Sequence, residues 1–181
     1  MESDFRIRKT VRLKDRRISI TGARYFLTIC VEDRVERLIK ARINSQLIAQ
    51  LEHQEEDGDF ELLCGSLMPD HFHALIRLGN RISLSQSIAK FKAKTRKLAT
   101  WQNNFYEHRI RSDESEESYA FYVFMNPYVE SLCELSKRWP WWKRWRRVPY
   151  EFEESLSSGE PIPVEWVKKE IEYRGNLSIG L

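Results

Sequence analysis

Residues 71–78 alternate between apolar and polar positions, the clearest strand pattern in the chain. Side chains alternate across a strand, so every second residue shares a face. One face would hold the apolar residues Phe72, Ala74, Ile76 and Leu78. The other would hold His71, His73, Leu75 and Arg77. The pattern predicts a strand that buries its apolar face and places two imidazoles side by side on the opposite face.

The same reasoning yields the other elements in chain order. Residues rich in β-branched and aromatic side chains predict strands at 25–31, 60–67 and 105–110. Apolar residues at helical spacing predict a helix over 42–55, and the basic segment around 89–97 predicts a helix opened by Ser83 or Ser85. A helix carrying Tyr122 and a short helix over 164–173 follow. The resulting βαββαβα order indicates an α+β fold, a two-layer sandwich with a mostly antiparallel sheet of four to five strands and helices on one face.

The helix that carries Tyr122 should begin after the acidic residues at 113–117 and end at about Asn126. Pro127 favours that end, because the residue before a proline is pushed out of the α region. Tyr122 and Asn126 are four residues apart, so their side chains would lie one turn from each other on the same face. Taken singly, Tyr122 is also typical of a core aromatic residue and Asn126 of a helix terminus.

His71 and His73 are close enough to reach one divalent cation together. A tyrosine beside a metal-bound phosphate can attack phosphorus and hold the product covalently. An amide oxygen from Asn126 would complete the ligands that the protein supplies. The alternative is that the two histidines are ordinary polar residues of a sheet, which a His-x-His pattern alone does not exclude.

Three motifs occur together in one order: His71-Phe72-His73 after Met68-Pro69-Asp70, the segment 101–111, and Tyr122 followed by Asn126-Pro127. In this respect the chain resembles the single-tyrosine transposases, most closely the branch associated with repetitive extragenic palindromic (REP) elements. Those bacterial proteins are single-strand DNA endonucleases called HUH enzymes, with a ferredoxin-like fold. The resemblance runs from about residue 25 to 145.

The resemblance implies a role for each matching residue. His71, His73 and Asn126 correspond to the metal ligands, with Mg²⁺ or Mn²⁺ as the cofactor, and Tyr122 corresponds to the nucleophile. Tyr119 is the weaker candidate, because Val123 stands four residues after it. The implied reaction cleaves and rejoins single-stranded DNA, in hairpin or REP-like repeats, through a 5′-phosphotyrosine intermediate. His108 is a candidate helper, although a structural histidine on its strand is the favoured interpretation.

Composition fits one soluble domain of 181 residues. No apolar run approaches the roughly 20 residues of a membrane span, and no signal-peptide core precedes the domain. Cys30, Cys64 and Cys133 are odd in number and widely spaced. This usage indicates free thiols and a cytoplasmic protein that does not contact a membrane. Whether the protein is a monomer or a homodimer stays open.

The net charge of +3 is unevenly distributed. Residues 151–181 form an acidic tail with net charge −4, and residues 1–150 would hold the transposase-like domain behind a basic N-terminal segment. Two basic clusters are candidates for nucleic-acid binding, the second being rich in tryptophan. Their candidate residues are Lys90, Lys92, Lys94, Arg96, Lys97, Trp142, Lys143, Arg144, Trp145, Arg146 and Arg147. A run of charged residues can also be a solvent-exposed face that binds nothing. Two interpretations of the acidic tail stay open: it folds over the basic groove, or it aids solubility.

Other functional classes fit the pattern less well. A histidine-triad nucleotide hydrolase needs a third alternating histidine, and position 75 is leucine. A zinc hydrolase would add a carboxylate or cysteine ligand, and none has suitable spacing. The remaining alternative is a non-catalytic protein of the same fold that binds single-stranded DNA or RNA hairpins.

Overall fold

The computed structural model describes residues 19–34, 38–156 and 159–177. The basic N-terminal segment of the sequence prediction lies outside these residues. The strands are β1 (Arg24–Cys30), β2 (Phe60–Leu67), β3 (His71–Leu78), β4 (Tyr106–Ile110) and β5 (Trp142–Arg144). The helices are α1 (Ala41–Glu56), α2 (Leu84–Thr95), α3 (Glu116–Val129), α4 (Glu151–Glu154) and α5 (Glu165–Asn176).

The five strands form one antiparallel sheet in the order β4-β1-β3-β2-β5. The histidine strand β3 therefore lies at the centre, between β1 and β2. Its first residues pair with the end of β1, with His71 opposite Cys30 and His73 opposite Thr28. A central strand has both edges hydrogen-bonded, which holds the two histidines rigidly.

Helices cover both faces of the sheet. Tyr25, Leu27 and Ile29 of β1 pack in one apolar cluster with α1 and α2. Phe26, between them in sequence, packs in a second cluster with α3. The α+β class and the antiparallel sheet are confirmed, but the expectation that the helices pack on one face is wrong. The reason is that α3 is apolar around nearly its whole circumference and buries the histidine face of the sheet.

Pro127 does not end the tyrosine helix, contrary to the sequence prediction. It lies inside α3, which continues to Val129. Every residue from Tyr119 to Tyr128 is buried, and this packing outweighs the local preference of the residue before a proline. Asn126 is consequently a helical residue, one turn below Tyr122.

The cap of α2 and the elements near the C-terminal end complete the description of the fold. Ser83, not Ser85, caps α2, because its side chain accepts from the backbone N–H of Gln86 in a capping box. Strand β5 and the short helix α4 are absent from the sequence prediction. The acidic tail contributes α5, which packs on α3 with Trp166 at 5.3 Å and Tyr173 at 5.7 Å from the ring of Phe121. None of the helices within the described residues is long and apolar enough to cross a membrane.

Candidate active site

The two histidines of β3 point their Nε2 atoms at each other, 3.0 Å apart. His71 Nδ1 donates to Asp70 Oδ1 at 2.7 Å, which leaves Nε2 of the neutral ring as an acceptor. His73 Nδ1 lies 3.0 Å from Thr28 Oγ1 on β1. Both outer nitrogens are thus occupied, and the two inner nitrogens lie within hydrogen-bond distance of each other.

Burial controls the charge of His73. His73 is fully buried, and desolvation, followed by the proximity of His71, holds its pKa well below the usual value. A neutral imidazole has a lone pair available to a cation. The pKa of Asp70 is lowered chiefly by its hydrogen bond to His71, so a carboxylate anchors the outer nitrogen of that ring.

Tyr122 lies over the histidines from the adjoining helix α3. Its ring centroid is 5.4 Å from that of His73 and 5.7 Å from that of Phe26, both in edge-to-face contact. Asn126 Nδ2 donates to Tyr122 Oη at 3.2 Å. The Tyr122 side chain is fully buried, and burial raises its pKa. The structure therefore brings together the histidine pair and the tyrosine–asparagine pair that the sequence predicts.

The donor set fits a divalent cation. Asn126 Oδ1 is buried and has no hydrogen-bond partner within the described structure, a costly state for an amide oxygen unless a ligand satisfies it. Two cis ligands of an octahedral ion at about 2.1 Å are about 3.0 Å apart, the separation of the two Nε2 atoms. The described residues hold no cluster of three or more His, Cys, Asp or Glu suited to a metal. Among the ligands predicted from the sequence, the Asn126 amide is the candidate for a third protein ligand.

Two residues beside the tyrosine were missed by the sequence analysis. The guanidinium of Arg174, on α5, lies 5.5 Å from the centre of the Tyr122 ring. Glu170 pairs with Arg174 at 3.1 Å, is itself fully buried, and leaves Oε2 without a hydrogen-bond partner in the described structure. Burial raises the pKa of Glu170. The i, i+4 spacing of the two residues indicated an ion pair, but nothing in the sequence placed that pair over Tyr122.

His108 and Tyr119 form a separate cluster around Glu114. His108 Nε2 lies 2.8 Å from Glu114 Oε1, and Tyr119 Oη donates to the same oxygen at 3.1 Å. The rings of His108 and Tyr119 stack with centroids 5.4 Å apart. These contacts give His108 a structural role on β4, in line with the favoured interpretation of the sequence.

The basic helix α2 lies on the sheet face opposite α3, and its cations divide into two groups. Lys90 Nζ pairs with Asp57 at 2.7 Å and Asp59 at 2.6 Å. Lys92 Nζ donates to the backbone carbonyls of Gln102 and Asn104 at 2.7 and 2.9 Å. The exposed cations of this segment are Lys94, Arg96 and Lys97.

The tryptophan-rich basic segment forms the edge strand β5 and is largely bound to acidic residues. Lys143 Nζ and Trp145 Nε1 both donate to Glu52 Oε1, the indole at 2.8 Å. The guanidinium groups of Arg144 and Arg146 pair with Glu153 at 2.9 Å and Glu116 at 2.7 Å.

The remaining residues of this segment differ in exposure. Trp139 is buried and donates from Nε1 to Leu67 O at 3.1 Å, and Trp142 packs edge-to-face on Phe124 at 5.4 Å. Arg147 is exposed. Most of the predicted cations and rings of this segment thus anchor β5 to the core.

Comparisons with known proteins show the family of this chain. Residues 19–130 match the family described as "Transposase IS200 like". A Haemophilus influenzae protein named "Putative REP-associated tyrosine transposase" is 27% identical, over 81% of this chain and 93% of the relative. The structure of a REP-associated tyrosine transposase bound to a REP hairpin is similar in fold, with a TM-score of 0.63 and 22% identity over 83% of this chain and 88% of that chain. Because the family match covers more than half of the sequence and includes every candidate catalytic residue, this chain belongs to the IS200-like transposase family.

Proposed function

We propose that this protein cleaves and rejoins single-stranded DNA at hairpin-forming repeats, with Tyr122 as the nucleophile. The observation that carries the proposal is the position of the Asn126 amide. It donates one proton to Oη of Tyr122, whose ring packs against His73, and keeps a buried oxygen without a hydrogen-bond partner in the described structure. An amide that links a nucleophile to a candidate metal site suits phosphoryl transfer, in which positioning and charge stabilisation supply most of the rate.

His71, His73 and Asn126 would hold one divalent cation, Mg²⁺ or Mn²⁺. When bound, that cation would polarise the scissile phosphate and stabilise negative charge in the transition state. All three protein ligands are neutral, so the cation's positive charge would not be offset by the protein. Asp70 orients His71 through the Nδ1 hydrogen bond, which is the usual arrangement behind a metal-binding histidine.

Tyr122 Oη would lose its proton and attack phosphorus, and the bond between phosphorus and the 3′ oxygen would break. The departing oxygen takes up a proton, and the DNA stays attached as a 5′-phosphotyrosine. A 3′-hydroxyl of another strand end reverses the same steps, so the reaction is strand transfer. Arg174 opposes the effect of burial on Tyr122 by lowering its pKa, because a nearby cation favours the tyrosinate.

Hairpin DNA is the proposed partner because the similar structure is that of a REP-associated tyrosine transposase bound to a REP hairpin. The exposed cations at the end of α2 and directly after it, Lys94, Arg96 and Lys97, supply charge for a phosphate backbone. We place the reaction in the cytoplasm, where DNA is accessible and the three free cysteines stay reduced.

A binding protein without cleavage activity is the second candidate. The observation that favours it is the complete burial of the Tyr122 side chain beneath α5. Such a protein would bind the same hairpins and form no covalent product.

One experiment separates the two functions. The protein is incubated with labelled single-stranded hairpin oligonucleotides and Mn²⁺ or Mg²⁺, and covalent protein–DNA adducts are resolved on a denaturing gel. We expect an adduct that disappears with EDTA and in Tyr122→Phe, while Tyr119→Phe, a matched buried tyrosine on the same helix, retains it. Tight binding without any adduct would favour the binding protein, and an adduct that persists in Tyr122→Phe would exclude Tyr122 as the nucleophile.

A further inference from the structure

A cleft of about 620 Å³ opens between α2 and the segment 99–105, on the sheet face away from Tyr122. Its size is within the range of small-ligand sites, about 300–1,000 Å³. Ile88 and Phe105 are buried residues of its wall. Arg96 and the amide side chains of Gln102, Asn103 and Asn104 also line it. We call it the α2 cleft.

The residues that line the α2 cleft favour a ligand that is negatively charged and has hydrogen-bonding groups. The α2 cleft contains two cations and three amides but no carboxylate among its lining residues. Two other clefts of the described structure include carboxylates: Glu117 and Glu151 beside Lys169 in one, and Glu55, Glu61 and Glu116 beside Arg77, Arg146 and Arg147 in the other. Asparagine and glutamine amides pair with base edges, and arginine pairs with phosphate oxygens.

The segment carrying the amides is held firmly in place. Lys92 Nζ donates hydrogen bonds to the backbone carbonyls of Gln102 and Asn104. Trp101 Nε1 donates to Thr95 Oγ1 at 2.8 Å, and its ring packs on Phe91 at 5.5 Å. With the carbonyls of Gln102 and Asn104 bound by Lys92, the backbone of the segment is fixed beside the cleft that its residues line.

The α2 cleft adjoins the histidine end of the sheet. Gln102 N donates to Cys30 O at 2.9 Å, and Cys30 pairs with His71 on the other side of β1. Two strand spacings of about 4.8 Å put the backbones of Gln102 and His71 about 10 Å apart. A single strand that crosses this end of the sheet would therefore pass from the α2 cleft to the histidine pair within a few nucleotides.

We propose that the α2 cleft binds an unpaired nucleotide of the DNA strand that leads to the scissile phosphate. The amides of Asn103, Asn104 and Gln102 contact the base edge, and Arg96 contacts a neighbouring phosphate. The inference rests on the proposed function, since it takes DNA as the substrate. It adds a site for base recognition on the opposite side of the sheet from the nucleophile.

Fluorescence anisotropy with three hairpin probes tests this site in the full-length chain carrying Tyr122→Phe, which prevents turnover. One probe has no flank, one has a short single-stranded adenine flank, and one has the same flank with abasic sites. Flanks on the 5′ and 3′ sides are tested separately. The blocking variant is Ala93→Trp, an exposed helical alanine that lines the cleft. The matched control is Ala49→Trp, an exposed alanine of α1.

We expect the adenine flank to strengthen binding and the abasic flank to add little. Ala93→Trp should weaken binding of the adenine-flanked probe about tenfold, the size of one good amide–base contact, and leave the unflanked probe unchanged. Asn104→Ala should act in the same direction, and Ala49→Trp should have no effect. Equal weakening of all three probes, no weakening by Ala93→Trp, or equal binding of abasic and adenine flanks would overturn the α2 cleft as a base site.

The adduct assay keeps this inference separate from the proposed function. Flank-dependent binding that Ala93→Trp abolishes, without any Tyr122 adduct in the otherwise unaltered chain, would retain the cleft and reject the cleavage reaction. An adduct without a flank effect would retain the reaction and reject the cleft. Failure of every probe to bind would reject both.

Discussion

Asn126 Nδ2 donates to Tyr122 Oη at 3.2 Å from one helical turn away, while Asn126 Oδ1 stays buried and unpartnered in the described structure. The amide therefore has two separate functions available to it. Its nitrogen orients the tyrosine hydroxyl, and its oxygen has no hydrogen-bond partner among the described residues. This division explains why both residues lie on one face of α3, four positions apart.

Replacing Asn126 should affect metal use more than folding. In Asn126→Ala the amide oxygen is removed, so we expect the Mn²⁺ concentration for half-maximal adduct formation to rise about 10- to 100-fold, as when a metal site loses a supporting group. A Mn²⁺ titration of adduct yield measures this. His108→Gln, outside the histidine pair, is the control and should keep the wild-type midpoint. An unchanged midpoint in Asn126→Ala would remove Asn126 from the ligand set.

Asp70 should support the metal site without being a ligand. Asp70→Asn weakens the hydrogen bond that fixes the Nδ1 proton of His71, so we expect weaker Mn²⁺ binding by about 10-fold or more. Isothermal titration of the DNA-free protein with Mn²⁺ measures it directly. Arg34→Gln serves as the control, because Arg34 contacts the other carboxylate oxygen of Asp70 at 3.1 Å and its replacement leaves the histidine bond intact. Equal affinities for Asp70→Asn and wild type would contradict the role.

The two basic clusters should contribute unequally to DNA binding. Replacing the exposed Lys94, Arg96 and Lys97 together by glutamine should flatten the salt dependence of hairpin affinity, by about 0.7–0.9 in log–log slope for each phosphate that the protein no longer neutralises. Replacing Lys143 and Arg144, which are paired with Glu52 and Glu153, should change the slope less and lower the melting temperature more. Binding titrations at several salt concentrations, with thermal melts, measure both. The reverse ranking would assign the DNA surface to β5.

The histidine pair and the tyrosine–asparagine pair were each predictable from the sequence, because each depends on the residue spacing within a single strand or helix. Alternation along a strand put His71 and His73 on one face, and four-residue spacing on a helix put Asn126 below Tyr122. The structure places all four together. The length of α3 was not predictable locally, because burial of its whole circumference overrides the signal from Pro127.

Ion pairs and packing contacts between residues far apart in the chain could not be predicted from the sequence. Lys143 and Arg146 looked available for phosphate, but Glu52 and Glu116, 91 and 30 residues away along the chain, neutralise them. Arg174 reaches Tyr122 only because α5 packs on α3 through Phe121, Trp166 and Tyr173. No local pattern encodes contacts between such distant segments, so a cluster of cations in the sequence predicts a binding surface even where the fold uses its members as internal ion pairs.

Glu170 should make the folded chain less stable as the pH rises, the opposite of the usual effect of a carboxylate. Burial raises its pKa in the folded chain, so the folded state favours the protonated form relative to the unfolded state. The stability that this raised pKa contributes is fully present below the pKa of glutamate in the unfolded chain, about 4.3. It is lost as the pH rises through the pKa of Glu170 in the folded chain. We expect Glu170→Gln, which stays neutral, to show a smaller fall in melting temperature above that pH than wild type. Glu172→Gln, exposed on the same helix, is the control, and parallel wild-type and Glu170→Gln curves would contradict the account.

The side chain of Tyr122, the proposed nucleophile, has no exposed surface and Arg174 lies over its ring, so we expect helix α5 to move when DNA binds there. Trp166 anchors α5 by edge-to-face contacts with Phe121 at 5.3 Å and Phe152 at 6.4 Å. Trp166→Ala removes those contacts, so we expect faster amide hydrogen exchange in α5 and a faster initial rate of adduct formation. Ile171→Ala, an exposed apolar residue of the same helix, should change neither. Faster exchange with an unchanged or slower adduct rate would show that α5 contributes to the reaction, through Arg174, more than it obstructs access.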